Sequence, residues 1–270
     1  MLVDIYNRLG FHGRLLSGVG WCESHISRQR SVVILPGVTG GMIDMMPLAM
    51  RYIESGYAVY VVDLPGHGGS SMISVSTYDD MVCWLGKAIE QLGVTPTVII
   101  ANSFSSSVVY HALRVDAISA STRVVMAAPT PCMSHVANFL QKAAHKLPER
   151  YAWDLYTSRV AQKLRITIGL KSNQCEAERW MCESERYKKR TATLRNSRRF
   201  TSLLYNQNPY VSGISNPSQE RISVVVGSED NIVSSDAVKV MIRLMPRARF
   251  VIVQGVGHIL HFEAFRSYPV

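Results

Sequence analysis

The sequence predicts an α/β fold with a mostly parallel central sheet flanked by helices. Short apolar segments rich in β-branched residues alternate along the chain with segments of helical spacing. These apolar segments are continuous rather than alternating, which is typical of strands covered on both faces in a parallel sheet. With 270 residues, 47% of them hydrophobic, the chain can form one large domain or one domain that carries an insertion.

Six segments have the strand pattern, and Gly, Pro, Asn or Ser residues bound them. They are residues 32–35, 58–62, 97–101, 123–127, 222–226 and 250–253. Helical spacing is found over residues 42–55, 78–92, 105–113 and 234–244. Strand and helix therefore alternate, which favours right-handed crossovers between parallel strands.

The alternation stops at residues 132–216, where apolar residues fall at spacings of amphipathic helices and charged residues fill the other faces. We therefore expect a helical cap insertion at 132–216 and a core domain of residues 1–131 and 217–270. The charge supports this division. The chain has 29 Lys+Arg, 20 Asp+Glu and a net charge of +9, and residues 141–200 alone hold 15 Lys+Arg and 6 Asp+Glu. The whole positive excess therefore lies in the insertion.

Composition excludes several other classes of protein. The longest apolar segments are far shorter than the roughly 18 residues that a membrane span needs, so we expect no membrane span. Asp4, Asn7 and Arg8 interrupt the start of the chain, which lacks the apolar region of a secretory signal, and this predicts a cytoplasmic location. Five scattered cysteines without a C-x-x-C pair argue against a disulfide framework or a zinc ribbon. No nucleic-acid-binding motif accompanies the basic segment, which argues against a nucleic acid partner.

Two glycine-rich loops follow the first two predicted strands. PGVTGG at residues 36–41 lets backbone N–H groups approach a ligand closely, and DLPGHGGS at residues 63–70 follows the next strand. The segment ANSFS at residues 101–105 ends a third strand and opens a helix. It holds Ser103 on a sharp turn whose neighbours two residues away are small.

Two later segments, GSEDNIV at residues 227–233 and GVGHILHFE at residues 255–263, each come just after a strand. Ser103, Asp230 and His258 thus each follow the end of a strand, in the chain order of the α/β-hydrolase triad. From about Ser31 to Glu263 the sequence resembles the α/β-hydrolase superfamily, as a serine esterase or lipase-like member with a helical cap.

This resemblance implies a role for each residue. Ser103 would be the nucleophile, His258 the general base and then the general acid, and Asp230 the group that orients the imidazole. The backbone N–H groups of Val38 and Phe104 would form the oxyanion hole. The resemblance implies no metal and no organic cofactor.

The expected function is that of a carboxylesterase, which cleaves an ester or thioester of a small or acyl-chain substrate through an acyl-enzyme. Haloalkane dehalogenases and epoxide hydrolases resemble this fold but need a carboxylate where the chain has Ser103. One alternative is hydrolysis of a carbon–carbon bond, because the ANSFS turn is similar to that of ring-cleavage-product hydrolases. Another is a catalytically silent domain that binds a small ligand or a partner protein.

Each triad residue has a neighbour that could replace it: Ser105 for the nucleophile, Glu229 for the acid and His261 for the base. Ser105 lies deeper in the predicted helix, and His261 lies on the helical pattern, so Ser103 and His258 are favoured. Residues 117–148 contain no Asp or Glu, which leaves the alternative acid position of some relatives empty. We expect His67 to stabilise its own glycine-rich turn rather than to react.

The charges of residues 183–190 have two interpretations. Glu183, Glu185, Arg186, Lys188, Lys189 and Arg190 could form a solvated helix face with local ion pairs. Alternatively, the basic cap could bind an acidic carrier protein, since some esterases of the superfamily act on acyl chains tethered to such carriers.

Overall fold

The computed structural model describes residues 1–24, 29–172, 174–191, 194–234 and 236–270. Eight strands form one sheet: β1 (His12–Leu16), β2 (Val19–Ser24), β3 (Ser31–Leu35), β4 (Ala58–Val62), β5 (Val98–Asn102), β6 (Arg123–Ala127), β7 (Ile222–Gly227) and β8 (Arg249–Val253). They lie in the order β1-β2-β4-β3-β5-β6-β7-β8. The pairs from β4 to β8 are parallel, and β2 pairs antiparallel with both β1 and β4. The prediction of a mostly parallel sheet is confirmed.

The helices are α1 (Leu2–Arg8), α2 (Met46–Glu54), α3 (Tyr78–Leu92), α4 (Phe104–Arg114), α5 (His135–Lys146), α6 (Glu149–Thr157), α7 (Arg159–Gly169), α8 (Cys175–Thr191), α9 (Leu194–Asn206), α10 (Asn216–Gln219), α11 (Ala237–Leu244) and α12 (Leu260–Glu263). A 3-10 turn, Met42–Met45, leads into α2, and another, Phe265–Ser267, follows α12. Among the described residues, no helix is both long enough and apolar enough to cross a membrane.

The two faces of the sheet explain why the predicted strands are apolar throughout. In β3, Val33 and Leu35 belong to one buried cluster, whereas Val32 and Ile34 belong to a second cluster on the opposite face. Helices α3, α4 and α11 contribute to the first cluster, and α1, α2 and α12 contribute to the second. The inner strands of the sheet are therefore buried by helices on both sides, as continuous hydrophobicity predicts.

Helices α5 to α9 lie in the chain between β6 and β7, within the region that we expect to form a cap (residues 132–216). Two of them pack onto the rest of the molecule. The Phe200 ring of α9 lies 5.3 Å from that of Phe104, and the Trp180 ring of α8 lies 6.2 Å from that of Phe262, between ring centres. These contacts attach α9 and α8 to segments that follow β5 and β8.

Candidate active site

Ser103 occupies a strained turn between the end of β5 and the start of α4. Its φ of 51° and ψ of −115° lie where non-glycine residues are rarely found, at a cost of about 1–3 kcal/mol. Two backbone hydrogen bonds hold the turn. Ser103 N donates to Ala127 O at 2.8 Å, and Ser106 N donates to Ser103 O at 2.9 Å. The neighbouring strand β6 therefore fixes the turn that presents the Ser103 hydroxyl.

The surroundings of this turn leave no room for larger side chains. A Cβ added at Gly37 would lie 3.2 Å from the Cβ of Ser103, so the loop after β3 passes directly beside the serine. Ala101 and Ser105 are fully buried. The Ser105 hydroxyl donates to the carbonyl oxygen of Pro36. Ser105, the alternative candidate for the nucleophile, therefore links α4 to the loop after β3.

A chain of hydrogen bonds joins Ser103, His258 and Asp230. His258 Nε2 lies 2.9 Å from Ser103 Oγ, and His258 Nδ1 lies 2.7 Å from Asp230 Oδ2. The three side chains come from the segments that follow β5, β8 and β7, whose carboxyl ends meet at one edge of the sheet. The alternative acid Glu229 is exposed.

Asp230 is oriented by its own backbone turn. Its Oδ1 accepts hydrogen bonds from the N–H groups of Ile232 at 2.9 Å and Val233 at 3.2 Å, which leaves Oδ2 directed at His258. Burial acts to raise the pKa of Asp230, but the charge of His258 and these hydrogen bonds outweigh it and hold the pKa below its usual range. Asp230 therefore stays ionised beside the imidazole.

Two backbone donors flank the serine. The N–H groups of Val38, in the loop after β3, and of Phe104, the first residue of α4, donate to no acceptor within the described part of the chain. Phe104 also lies at the positive end of the dipole of an 11-residue helix. Both groups are therefore available to an anionic ligand atom bound near Ser103.

Asn102 connects the serine turn to distant parts of the chain. Its Nδ2 donates to Leu35 O at 3.3 Å, and its Oδ1 accepts from the hydroxyl of Tyr268 at 2.7 Å. Tyr268 is completely buried. Sequence reasoning did not single out Tyr268, because no local motif relates it to a residue 166 positions earlier.

Replacing Tyr268 with phenylalanine is expected to lower the free energy of unfolding by about 1–3 kcal/mol, because the buried Oδ1 of Asn102 would lose its donor. Thermal and urea unfolding of the Tyr268→Phe variant would measure this loss. Tyr151→Phe is the matched control, since Tyr151 is exposed on α6 and should tolerate the change. Equal stability of the two variants would contradict the prediction.

A cavity of about 310 Å³ opens above Ser103. Most of its lining is apolar and comes from the insertion and from loops of the core, including Met45, Met133, Leu140, Leu164, Ile168, Met181, Leu204, Ile232, Ile259 and Phe262. The Tyr156 hydroxyl of α6 donates to Thr39 Oγ1 at 3.2 Å, which links the insertion to the loop that contains Val38. The volume suits a small ligand with an apolar part.

Charged side chains also line the cavity. Two of them, Glu185 and Lys188, belong to residues 183–190, and for these two the interpretation as a solvated helix face is wrong. Glu185 is only 3% exposed and forms an ion pair with Arg165, 20 residues away on α7. Lys188 lies 3.4 Å from Glu185 and also lines the cavity. Burial acts to lower the pKa of Lys188, but the carboxylates of Asp44 and Glu185 outweigh it and raise that pKa. Arg186 is exposed as expected.

The remaining members of that charged segment differ from one another. Glu183 is partly buried and accepts hydrogen bonds from the N–H groups of Leu2 and Val3. The side chains of Lys189 and Arg190 lie outside the described residues. The segment is therefore not one uniform face.

Two histidines near the site have structural surroundings. His67 is buried, and its Nδ1 lies 3.0 Å from the carbonyl oxygen of Pro65, in agreement with the expected role in its own turn. His261 lines the cavity, where burial and the charges of Lys188 and His258 lower its pKa to about 3. His258, not His261, is the histidine bonded to Ser103.

Comparison with known proteins decides the family. The model of the alpha/beta hydrolase family matches residues 32–267. The chain belongs to this family. The predicted α/β-hydrolase fold is therefore confirmed, and family membership supports hydrolase activity. No curated protein sequence matches the chain.

Several solved structures of this family have the same fold. A candidate lipase from Acinetobacter baumannii is 16% identical with a TM-score of 0.74, covering 98% of this chain and 90% of its own. An esterase from Exiguobacterium antarcticum is 15% identical with a TM-score of 0.70, covering 93% and 92%. A haloalkane dehalogenase from Bradyrhizobium elkani is 18% identical with a TM-score of 0.67, covering 95% and 94%. At these identities the likeness shows the fold alone.

This alpha/beta hydrolase lacks the glycines usual on either side of the nucleophile in the G-x-S-x-G turn, having Ala101 and Ser105 instead. Both replacements are small and fully buried, and the Ser105 hydroxyl has its own acceptor. The turn is therefore formed without either glycine. Within the described residues no cluster of His, Cys, Asp and Glu side chains could hold a metal ion.

Proposed function

We propose that the chain is a serine hydrolase that cleaves a carboxylic ester or thioester through an acyl-enzyme. The observation that carries this proposal is the hydrogen-bonded chain Ser103–His258–Asp230, with distances of 2.9 and 2.7 Å, at the floor of an apolar cavity. A serine, an imidazole and a carboxylate in this order make a nucleophile, its base and the group that orients the base.

In the proposed reaction, Ser103 Oγ attacks the substrate carbonyl carbon while its proton passes to His258 Nε2. The ionised Asp230 stabilises the imidazolium that forms. The carbonyl oxygen becomes an oxyanion that accepts hydrogen bonds from the N–H groups of Val38 and Phe104, each worth about 3–4 kcal/mol to the transition state. The intermediate then collapses: the bond from the carbonyl carbon to the leaving oxygen or sulfur breaks while His258 gives that atom its proton. An alcohol or thiol departs, and the acyl group stays on Ser103.

Deacylation repeats these steps with water as the nucleophile. His258 Nε2 takes a proton from the water, hydroxide oxygen adds to the acyl carbon, and the same two N–H groups stabilise the oxyanion. Collapse of the intermediate breaks the bond to Ser103 Oγ, which recovers its proton from His258. The carboxylic acid is released, and the enzyme is regenerated.

The cavity and the nucleophile narrow the choice of substrate. Apolar side chains from α5, α7, α8 and α9 surround the space above Ser103, which favours an apolar acyl chain there. Dehalogenase and epoxide hydrolase chemistry needs a carboxylate at the position of Ser103, so the serine argues against both of these activities. Esterase and lipase neighbours agree with ester hydrolysis.

Covalent labelling with a fluorophosphonate probe tests this function. Because the probe phosphonylates an activated serine, wild type and Ser105→Ala should be labelled and Ser103→Ala should not. Mass spectrometry of the labelled peptide would identify the modified residue. Failure to label the folded wild type would refute the hydrolase proposal, and labelling that persists in Ser103→Ala would assign the nucleophile elsewhere.

A further inference from the structure

Helix α5 exposes its apolar face to solvent. Val136, Phe139, Leu140 and Ala143, followed by Leu147 just after the helix, recur at three- and four-residue intervals and so form one stripe. All five are exposed, Phe139 by 71%. A helix on the surface of a globular protein normally turns such a stripe inward.

The opposite face of α5, which contacts the protein, is small or polar. Ala137 is buried, and Asn138 and Gln141 are partly buried. Asn138 Nδ2 donates to the carbonyl oxygen of Met133 at 3.2 Å. The orientation of α5 is therefore fixed by contacts on its less apolar side, and its apolar stripe has no cover within the described part of the chain.

The next two helices continue this pattern. Tyr151 and Leu155 of α6, and Val160 and Leu164 of α7, are pairs four residues apart, and all four side chains are exposed, Val160 by 79%. We group them with the α5 stripe as the α5–α7 face, because Leu140 of α5 and Leu164 of α7 line the same cavity. Large exposed apolar groups of this kind mark interaction surfaces.

The α5–α7 face is continuous with the entrance to the cavity above Ser103. Leu140 of α5 and Leu164 of α7 belong to the face and also line the cavity. Whatever covers the face therefore lies against the opening through which a substrate reaches Ser103.

Cations border the apolar side chains. Exposed Lys142, Lys146, Arg150, Arg159 and Lys163 lie on these three helices. Residues 135–169 hold six Lys+Arg against two Asp+Glu. Amphipathic helices with large apolar side chains and flanking cations are typical of segments that lie in the interface of an anionic membrane.

We propose that the α5–α7 face binds an anionic lipid surface, with its apolar side chains among the acyl chains and its cations at the headgroups. A second copy of the chain would cover the apolar stripe but would bring two cationic surfaces together. An acidic carrier protein would use the cations and leave much of the stripe in water. A lipid surface satisfies both features and presents acyl chains at the cavity entrance.

Sedimentation with vesicles tests this proposal, and Ser103→Ala protein is used so that no lipid is hydrolysed. Binding should be strong with equal parts of phosphatidylglycerol and phosphatidylcholine, about tenfold or more weaker with phosphatidylcholine alone, and reduced by salt. Adding Val136→Ser and Phe139→Ser should lower the partition coefficient by about tenfold or more. The matched control carries Leu15→Ser and Val211→Ser, which remove equally exposed apolar residues elsewhere and should leave binding unchanged.

Several outcomes would overturn the proposal. The first is that the protein does not bind vesicles, and the second is that the α5 and control variants lose equal amounts of binding. The third is that the protein forms a dimer which the α5 substitutions dissociate, and binds no vesicles. If an acidic acyl carrier protein bound through the same residues in preference to vesicles, the partner of the α5–α7 face would be a protein and not a lipid surface. Vesicle binding needs no catalysis, so its failure and the failure of fluorophosphonate labelling are separate results.

Discussion

Replacing His258 with alanine is expected to lower the kcat of ester hydrolysis on the order of 10⁶-fold and leave the protein folded. His258 is the sole described residue hydrogen-bonded to the Ser103 hydroxyl. In the proposed reaction its loss removes both the proton acceptor for attack and the proton donor for the leaving group. Residual activity would come from binding and the two backbone donors, which the substitution does not touch. Hydrolysis of nitrophenyl esters, with circular dichroism as a check of folding, would measure the effect.

His261→Ala is the matched control for this prediction. His261 lines the same cavity three residues later but is not the histidine hydrogen-bonded to Ser103, so turnover should remain readily measurable. Combining Ser103→Ala with His258→Ala should cost no more than either alone, because the two act in the same step. Comparable losses in His258→Ala and His261→Ala, or additive losses in the double variant, would contradict the proposed roles.

Replacing Gly227 with alanine is expected to lower the free energy of unfolding by about 3 kcal/mol and the Tm by roughly 6–12 °C. An added Cβ would lie 2.3 Å from the carbonyl oxygens of both Val256 and Gly257. These are backbone atoms of the turn before His258, so no flexible side chain can move aside. Gly227 ends β7 three residues before Asp230, and the distortion should also reduce hydrolysis.

Gly86→Ala is the control that separates this clash from the general effect of losing a glycine. Gly86 lies within α3, and an added Cβ there would meet no described atom within 4 Å apart from the neighbouring backbone of its own helix. Alanine should therefore stabilise that helix by about 0.5–1 kcal/mol. Calorimetric unfolding of both variants would give the comparison. A Gly227→Ala protein as stable as wild type would show that the β7 end and the histidine turn can separate at little cost.

The parallel part of the sheet could be predicted from sequence because burial on both faces leaves a local signal. Two of the six predicted strands, β4 and β6, have the predicted bounds. Strands β3, β7 and β8 are one residue longer at one end, and β5 is shifted by one residue. The antiparallel strands β1 and β2 were not predicted. All residues of β1 are exposed, whereas β2 buries Glu23, which is paired with Arg14 and accepts a hydrogen bond from Trp21. An exposed first strand and a buried charge in the second leave no continuous apolar segment in the sequence.

The proposed site residues could be selected from sequence because each follows a strand in a recognisable turn. The wall of the cavity could not be predicted in the same way. Glu185 and Lys188 have the local spacing of surface ion pairs, and Arg165, which makes Glu185 a buried partner, lies on another helix. The exposure of the apolar stripe of α5 could not be predicted either. Periodicity identifies an amphipathic helix but does not show which of its faces packs against the protein.

Ser103 and His258 are 155 positions apart in the chain, and this separation also affects how the molecule folds. The serine turn needs only β5, β6 and the start of α4, whereas the histidine arrives with β8 at the far edge of the sheet, after the chain has returned from the insertion. Contacts across such long segments form slowly, because the entropy of closing the loop opposes them. A chain that holds the serine turn before β8 is in place would therefore lack the proposed base, His258.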